Sequence, residues 1–276
     1  MSLRGAGQIR LRLDQNWVLT REPDTVSTVV GKDAEMGYAR GIALHLDGFA
    51  MRYFFYGGLR KMANKTKRLT ESAMLLAVAV VLELVSKMFI PPMPLGGHLT
   101  IVHMLPVVLI SYRHGMKWGF TAAFTYSLIQ MMLGMDSVSA AFLPGSDEFL
   151  GAKAILMVLL DYIGAYTLLG LGGLFRDRIR TGGMALMCGS LVALSARYAS
   201  HVTSGYILYA SWAEWFFTQD GFPAWGGWLV ENLTPEMLGF VYSVVYNGMV
   251  MIPEMVLTAA MSLVIARIPG VVQKIG

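Results

Sequence analysis

The run Ala154-Ile-Leu-Met-Val-Leu-Leu-Asp161-Tyr-Ile-Gly-Ala-Tyr-Thr-Leu-Leu-Gly-Leu-Gly-Gly-Leu-Phe175 carries a single charged side chain, Asp161, and ends at the basic connection Arg176-Asp-Arg178-Ile-Arg180. A helix crossing the hydrocarbon of a bilayer needs about 20 mainly apolar residues, and Lys and Arg gather at its cytoplasmic end. The run predicts a membrane helix near 152–175 whose C-terminal end faces the cytoplasm. Composition agrees. The 276-residue chain is 55% hydrophobic and only 14% charged, where a soluble domain carries about 25% charged residues. Its 20 Met and 30 Gly suit closely packed apolar helices.

Five more apolar segments flank this one, near 70–90, 99–112, 117–135, 184–210 and 239–266. The second is short and follows Pro91, Pro92 and Pro94, so it is tilted, partly re-entrant or completed by its flanking loop. Lys65, Lys67 and Arg68 precede the first segment, and Arg113 and Lys117 separate the second from the third. Arg176, Arg178 and Arg180 lie between the fourth and fifth, and Arg267 and Lys274 follow the sixth. The alternate connections hold Asp136, Asp147, Glu148, Glu214, Asp220, Glu231 and Glu236. The fold expected is therefore an all-α membrane protein of six transmembrane helices, multi-pass in the cell membrane, with both termini cytoplasmic.

Residues 1–61 differ: Arg4, Arg10, Arg12, Asp14, Arg21, Glu22 and Asp24 follow no sustained period, and Pro23 breaks the stretch. Met62-Ala-Asn-Lys-Thr-Lys-Arg-Leu then leads into the first apolar segment. The expected division is an N-terminal extension over 1–61 and a membrane domain over 62–276. Met62 is the expected physiological start, the alternative being a genuine cytoplasmic extension. Neither is a secretory signal, which needs an apolar core near the N-terminus.

Several functions are disfavoured. Cys188 is the single cysteine, so no disulfide framework exists. The net charge of +4 sits in short connections without a basic stripe, so orientation in the bilayer explains it better than nucleic acid. No G-x-x-x-x-G-K-[ST], H-E-x-x-H or G-x-S-x-G motif occurs. His98 and His103 lack a partner at metal-ligand spacing. No cofactor, metal or catalytic residue is expected.

Four polar side chains fall at one depth. Tyr126, Asp161, His201 and Asn247 lie on four different segments, each roughly 12–14 Å beneath the outer face at 1.5 Å rise per residue. Hydrocarbon solvates such groups badly, so they point to a site by default. A lone Tyr is commonly an interfacial anchor, and a His or Asn commonly bonds a neighbouring helix. Asp161 is harder to dismiss, since insertion of a central Asp costs about 2.5–3.5 kcal/mol. Tyr209 and Tyr242 lie nearer the surface. Together these types suit a flat, polar, cationic organic molecule in an outward-facing pocket. Arg197 and Glu254, about 20–22 Å deep on consecutive helices, are expected to form a structural ion pair beneath it. Glu83 is either a second anionic ligand or faces headgroups. The aromatic loop around Trp212, Trp215, Phe216, Phe217, Phe222, Trp225 and Trp228 suits an interfacial belt, with one or two side chains available as a lid.

Residues 69–268 resemble the thiamine-binding S-component of energy-coupling factor transporters. The carrying stretches are Arg197-Tyr-Ala-Ser-His201-Val-Thr-Ser204-Gly205 and Tyr242-Ser-Val-Val-Tyr-Asn247-Gly, with Pro253-Glu254 and Leu160-Asp161-Tyr162 in support. The resemblance implies a pocket at His201, Gly205, Tyr242 and Asn247. It also places the family's acidic-aromatic pair on Asp161-Tyr162, with Asp for the usual Glu, and two family tryptophans on Tyr126 and Tyr209. The first outer loop, Pro94-Leu-Gly96-Gly97-His98, lacks the family's tryptophan. A small-residue motif on the first helix falls on Ala73 and Ala77 and implies contact with a membrane coupling protein. Two ATPase subunits complete the implied energising module, and thiamine is the implied substrate. The alternatives are an S-component for another vitamin or a thiamine precursor, an intramembrane hydrolase using His201 and Ser204, and a non-transporting scaffold.

Overall fold

A computed structural model of the chain describes residues 65–91, 93, 98–142 and 151–274, leaving aside the side chains of residues 137, 140 and 141. The expectations for residues 1–61, and for a start at Met62, lie outside these described residues. Within them the chain is helical and contains no strand. The elements are α1 (Lys65–Phe89), α2 (Leu105–His114), α3 (Met116–Leu133), α4 (Met135–Phe142), α5 (Ala152–Gly173), α6 (Gly182–Tyr209), α7 (Ala213–Thr218), α8 (Trp225–Asn232) and α9 (Pro235–Ile265). Among these, α1, α5 and α9 are long and apolar enough to cross a membrane.

Helix α2 explains the short second segment. Its Pro-Val-Val-Leu-Ile run is apolar all round, the pattern of a helix with no solvent face, and nine of its ten residues are buried. It packs against α3, α6 and the end of α5, so it is the core of the bundle and not a perimeter span. The lead-in is non-helical over 98–104 and is pinned to α1 where the Ile101 amide donates to Ser86 Oγ at 2.9 Å. Val102 there takes φ 58°, a region β-branched residues rarely occupy.

Close approach depends on glycine at the crossing of α5 and α6. A Cβ on Gly189 would stand 2.0 Å from the Gly172 carbonyl oxygen, so any side chain would force the helices apart. Pairs of small residues serve this purpose in membrane bundles. Helix α9 starts at Thr234, whose hydroxyl accepts from the Met237 amide, with Pro235 in the first turn where its missing N–H is harmless.

The basic connections meet at one end of the bundle. Arg113 pairs with Glu71 at the start of α1 and donates to the Gly270 and Val271 carbonyls beyond α9. Lys274 Nζ lies 3.1 Å from Asp177 Oδ1 in the α5–α6 connection. The side chains left outward include Met74, Val81, Met88, Ile252, Val256 and Val264, each more than half exposed, a surface suited to lipid.

Candidate ligand-binding site

A cavity of about 590 Å³ lies between α1, the 98–104 lead-in, α3, α5, α6 and α9, within the range of small-molecule sites. Its first wall comes from an irregularity in α5. Over Val158–Gly164 this helix widens into a π-helical turn, whose backbone bonds reach one residue further than in an α-helix. In an uninterrupted α-helix, residues 161 and 166 would diverge, because five residues overshoot a turn of 3.6. Here Asp161, Tyr162 and Tyr166 all line the cavity.

Asp161 is held from both sides by α6. Its Oδ2 accepts from Ser204 Oγ at 2.7 Å, and its Oδ1 lies 3.0 Å from His201 Nδ1. Arg197 Nε donates to His201 Nε2 at 3.2 Å. A donor facing Nε2 leaves the ring proton on Nδ1, so the imidazole donates to Asp161 and the carboxylate stays an acceptor. The Arg197 guanidinium sits over the Tyr166 ring, 4.0 Å from its centroid, and touches Met104 Sδ. Ser200 Oγ donates to the Leu160 carbonyl at 2.8 Å, tying α6 to the wide turn of α5.

Helix α9 closes the opposite side. Asn247 Nδ2 donates to the His201 carbonyl at 3.2 Å and to the Ser243 carbonyl at 2.9 Å. This approach requires Gly205, because a Cβ there would meet Ser243 Oγ at 2.2 Å and Asn247 Nδ2 at 3.0 Å. Tyr209, Tyr242 and Tyr246 complete the wall. Behind them Phe216 sets its ring edge-on to Tyr242 and Tyr246, at 5.3 and 5.7 Å. The phenylalanines of the aromatic loop therefore buttress the cavity tyrosines, while Trp212, Trp215, Trp225 and Trp228 stay exposed.

Of the residues singled out in the sequence, Asp161, Tyr162, His201, Gly205, Tyr209, Tyr242 and Asn247 line this one cavity. Tyr126 does not. It is fully buried, donates its hydroxyl to Glu83 at 3.4 Å and stacks edge-on to Tyr166 at 5.6 Å. Depth along α3 says nothing about which face a side chain takes, and Gln130, one turn further on, reaches the cavity instead. The expected ion pair of Arg197 with Glu254 is also absent. Arg197 turns to His201 and Tyr166, while Glu254 accepts from Thr100 Oγ1 at 3.0 Å and lies 3.4 Å from His103 Nδ1. The α2 lead-in supplies those partners, a third stretch of chain that counting along two helices could not see. Ala73 and Ala77 lie on the exposed face of α1.

The sequence left Glu83 undecided and passed over Lys87, Gln130, Tyr166 and Tyr246 as site residues. Glu83 is 3% exposed and lines the cavity, with Lys87 Nζ at 2.6 Å. A charged pair four residues apart, Glu83 and Lys87 near the end of an apolar segment, was the available signal. Nothing in the sequence announces the π turn that brings in Tyr166. His98, before α2, lines the cavity too, and burial together with nearby Lys87 holds it below the usual imidazole range despite Glu83. The hydrolase arrangement is not formed. Ser204 donates to Asp161, and the His201 nitrogen that would act as base accepts from Arg197.

An all-helical membrane protein with a carboxylate-centred, tyrosine-walled small-molecule cavity is the class these features define. Residues 69–225 match the model of the thiamine transporter protein family (Thia_YuaJ). Thiamine transporter ThiT of Bacillus subtilis (strain 168) is 32% identical over 201 residues, covering 70% of this chain and 86% of that protein. The solved structure of ThiT from Listeria monocytogenes aligns with a TM-score of 0.50 at 18% identity, covering 76% of this chain and 98% of that chain, a likeness of fold. The chain belongs to the thiamine transporter protein family.

Proposed function

We propose that this chain is the thiamine-capture subunit of an ATP-driven energy-coupling factor transporter. The observation that carries the reading is the Asp161 carboxylate, kept an acceptor by neutral His201 and by Ser204 and walled by tyrosines, in a chain of this family. Thiamine is a flat cation bearing an aminopyrimidine. A buried carboxylate opposes its charge and aromatic faces hold it, while the Asn247 amide, anchored through Nδ2, offers its oxygen to a ring amine. Six segments cross the membrane, the second as the short α2 completed by its non-helical lead-in, with both termini cytoplasmic and the cavity open to the outside. The convergence of the basic connections at one end supports that orientation.

The energy comes from partners. A membrane coupling protein docks on α1 around Ala73 and Ala77, two ATPase subunits drive the module, and the loaded subunit reorients in the bilayer. Exposure of Ala73 and Ala77 beside Met74 and Val78 supports docking there. None of the described tryptophans lines the cavity, so calorimetry is a surer probe than intrinsic fluorescence. The detergent-purified chain titrated with thiamine should give saturable binding at submicromolar concentration; well-folded protein giving no heat with thiamine overturns the reading. Uptake into vesicles should require the coupling protein, both ATPases and ATP. Concentrative uptake by the chain alone would overturn the ATP-driven part.

A further inference from the structure

Besides Asp161, the same cavity has a second polar group of side chains, or pole, on α1 and α3. Glu83 Oε1 holds Lys87 Nζ at 2.6 Å, and its Oε2 accepts from Gln130 Nε2 and from the Tyr126 hydroxyl. Glu83 and Gln130 are each 3% exposed, so these are built contacts and not surface encounters. Lys87 is partly exposed and lines the cavity, and only one of its three donors is needed by Glu83. His103 also lines the cavity, and its buried Nε2 has no hydrogen-bond partner. Asp136 stands at the rim. Among the carboxylates and ammonium groups of this pole, Glu83 and Asp136 outnumber Lys87.

A molecule bound with its cationic, ring-bearing part at Asp161 extends its far end along the cavity toward this pole. A free hydroxyl finds complementary groups there: a Lys87 N–H as donor, and His103 Nε2 and a Glu83 oxygen as partners. A phosphate ester meets the Glu83 and Asp136 carboxylates beside an ammonium that Glu83 already pairs. Like charges brought this close repel.

We infer that Glu83 is a specificity-determining residue: by tying up Lys87 it makes the second pole accept the free alcohol end of the ligand and reject its phosphate ester. The inference rests on the cavity being the site proposed above for thiamine. It adds that the protein selects the unphosphorylated form, and that the selection lies in one ion pair on α1.

The test is calorimetric titration of the full-length, detergent-purified protein with thiamine and with thiamine monophosphate. Wild type should prefer thiamine by tenfold or more. Glu83→Gln is close in shape and leaves Lys87 uncompensated, so the preference should fall at least tenfold through a gain in affinity for the ester. Lys87→Met, which leaves Glu83 uncompensated, should raise the preference several-fold, and it decides the matter if Glu83→Gln does not fold. An unchanged preference in a Glu83→Gln protein that still binds thiamine overturns the inference. So does a wild type that binds both compounds equally, or an unchanged preference in Lys87→Met. Wild type that binds neither compound removes the thiamine reading of the cavity, and this inference with it.

Discussion

Replacing Asp161 with Asn removes one negative charge while keeping the shape of the side chain. In the native arrangement both carboxylate oxygens accept, one from Ser204 at 2.7 Å and one facing His201 Nδ1 at 3.0 Å. The amide keeps one acceptor and brings two donors into a site where Ser204, His201 and Arg197 already donate toward the centre. Two terms follow. A hydrogen bond to a charged group contributes about 1.5–3 kcal/mol where a neutral one contributes about 0.5–1.5. A unit charge near 4 Å in surroundings of effective dielectric 20 contributes about 4 kcal/mol, an upper limit because the free cation is solvated by water. The smaller figure governs the net effect. We expect binding of thiamine to weaken by about 1.5–3 kcal/mol, which is roughly 10- to 150-fold in Kd. Titration calorimetry reads that range directly. The uncharged aminopyrimidine half of the ligand should lose markedly less, since it carries no cationic ring. A folded Asp161→Asn protein with wild-type affinity would refute the reasoning. Equal losses for the cation and for the neutral half would refute the electrostatic part of it.

Four further outcomes are expected. Ala73→Trp combined with Ala77→Trp should abolish uptake by the assembled transporter and spare thiamine binding; loss of binding in the folded double variant would defeat the docking assignment. Gly205→Ala puts a Cβ 2.2 Å from Ser243 Oγ, an overpacking that costs about 1–3 kcal/mol. It should lower the Tm in detergent and weaken binding as α9 is pushed away, and a wild-type melting profile would refute it. Glu254→Ala strips Thr100 and His103 of a fully buried partner and should lower the Tm by several degrees with a smaller effect on Kd, whereas Arg197→Ala should act mainly on Kd by releasing His201.

How far the sequence reaches depends on what each inference needed. Apolar runs and charged connections are one-dimensional quantities. Five of the six expected segments follow from them with shifts of a few residues. The second becomes helical only at Leu105, and the short helices α4, α7 and α8 went unread. The residues of the carrying stretches on α6 and α9 meet because those two helices share the most extensive contact in the bundle. Depth is likewise a matter of counting. Facing is not, and Tyr126 shows the difference: it sits at the right level but turns inward to Glu83 and Tyr166. Arg197 and Glu254 share a level as well, yet the non-helical lead-in to α2 separates their partners. The π turn in α5 shifts the register of every residue after it, and no propensity marks its position. Tyr166 was hidden for that reason.

The burial of α2 bears on how the protein is made. Ten helical residues rise about 15 Å, half the thickness of the hydrocarbon, and the preceding 98–104 stretch has backbone groups outside any helix. Lipid offers those groups no partner, so the stretch cannot rest among acyl chains on its own. Its companions include α5 and α6, which are synthesised later. If the segment lies in the hydrocarbon as proposed, it is fully sheltered only once roughly a hundred more residues have emerged. The centre of the bundle thus depends on helices that follow it in the chain.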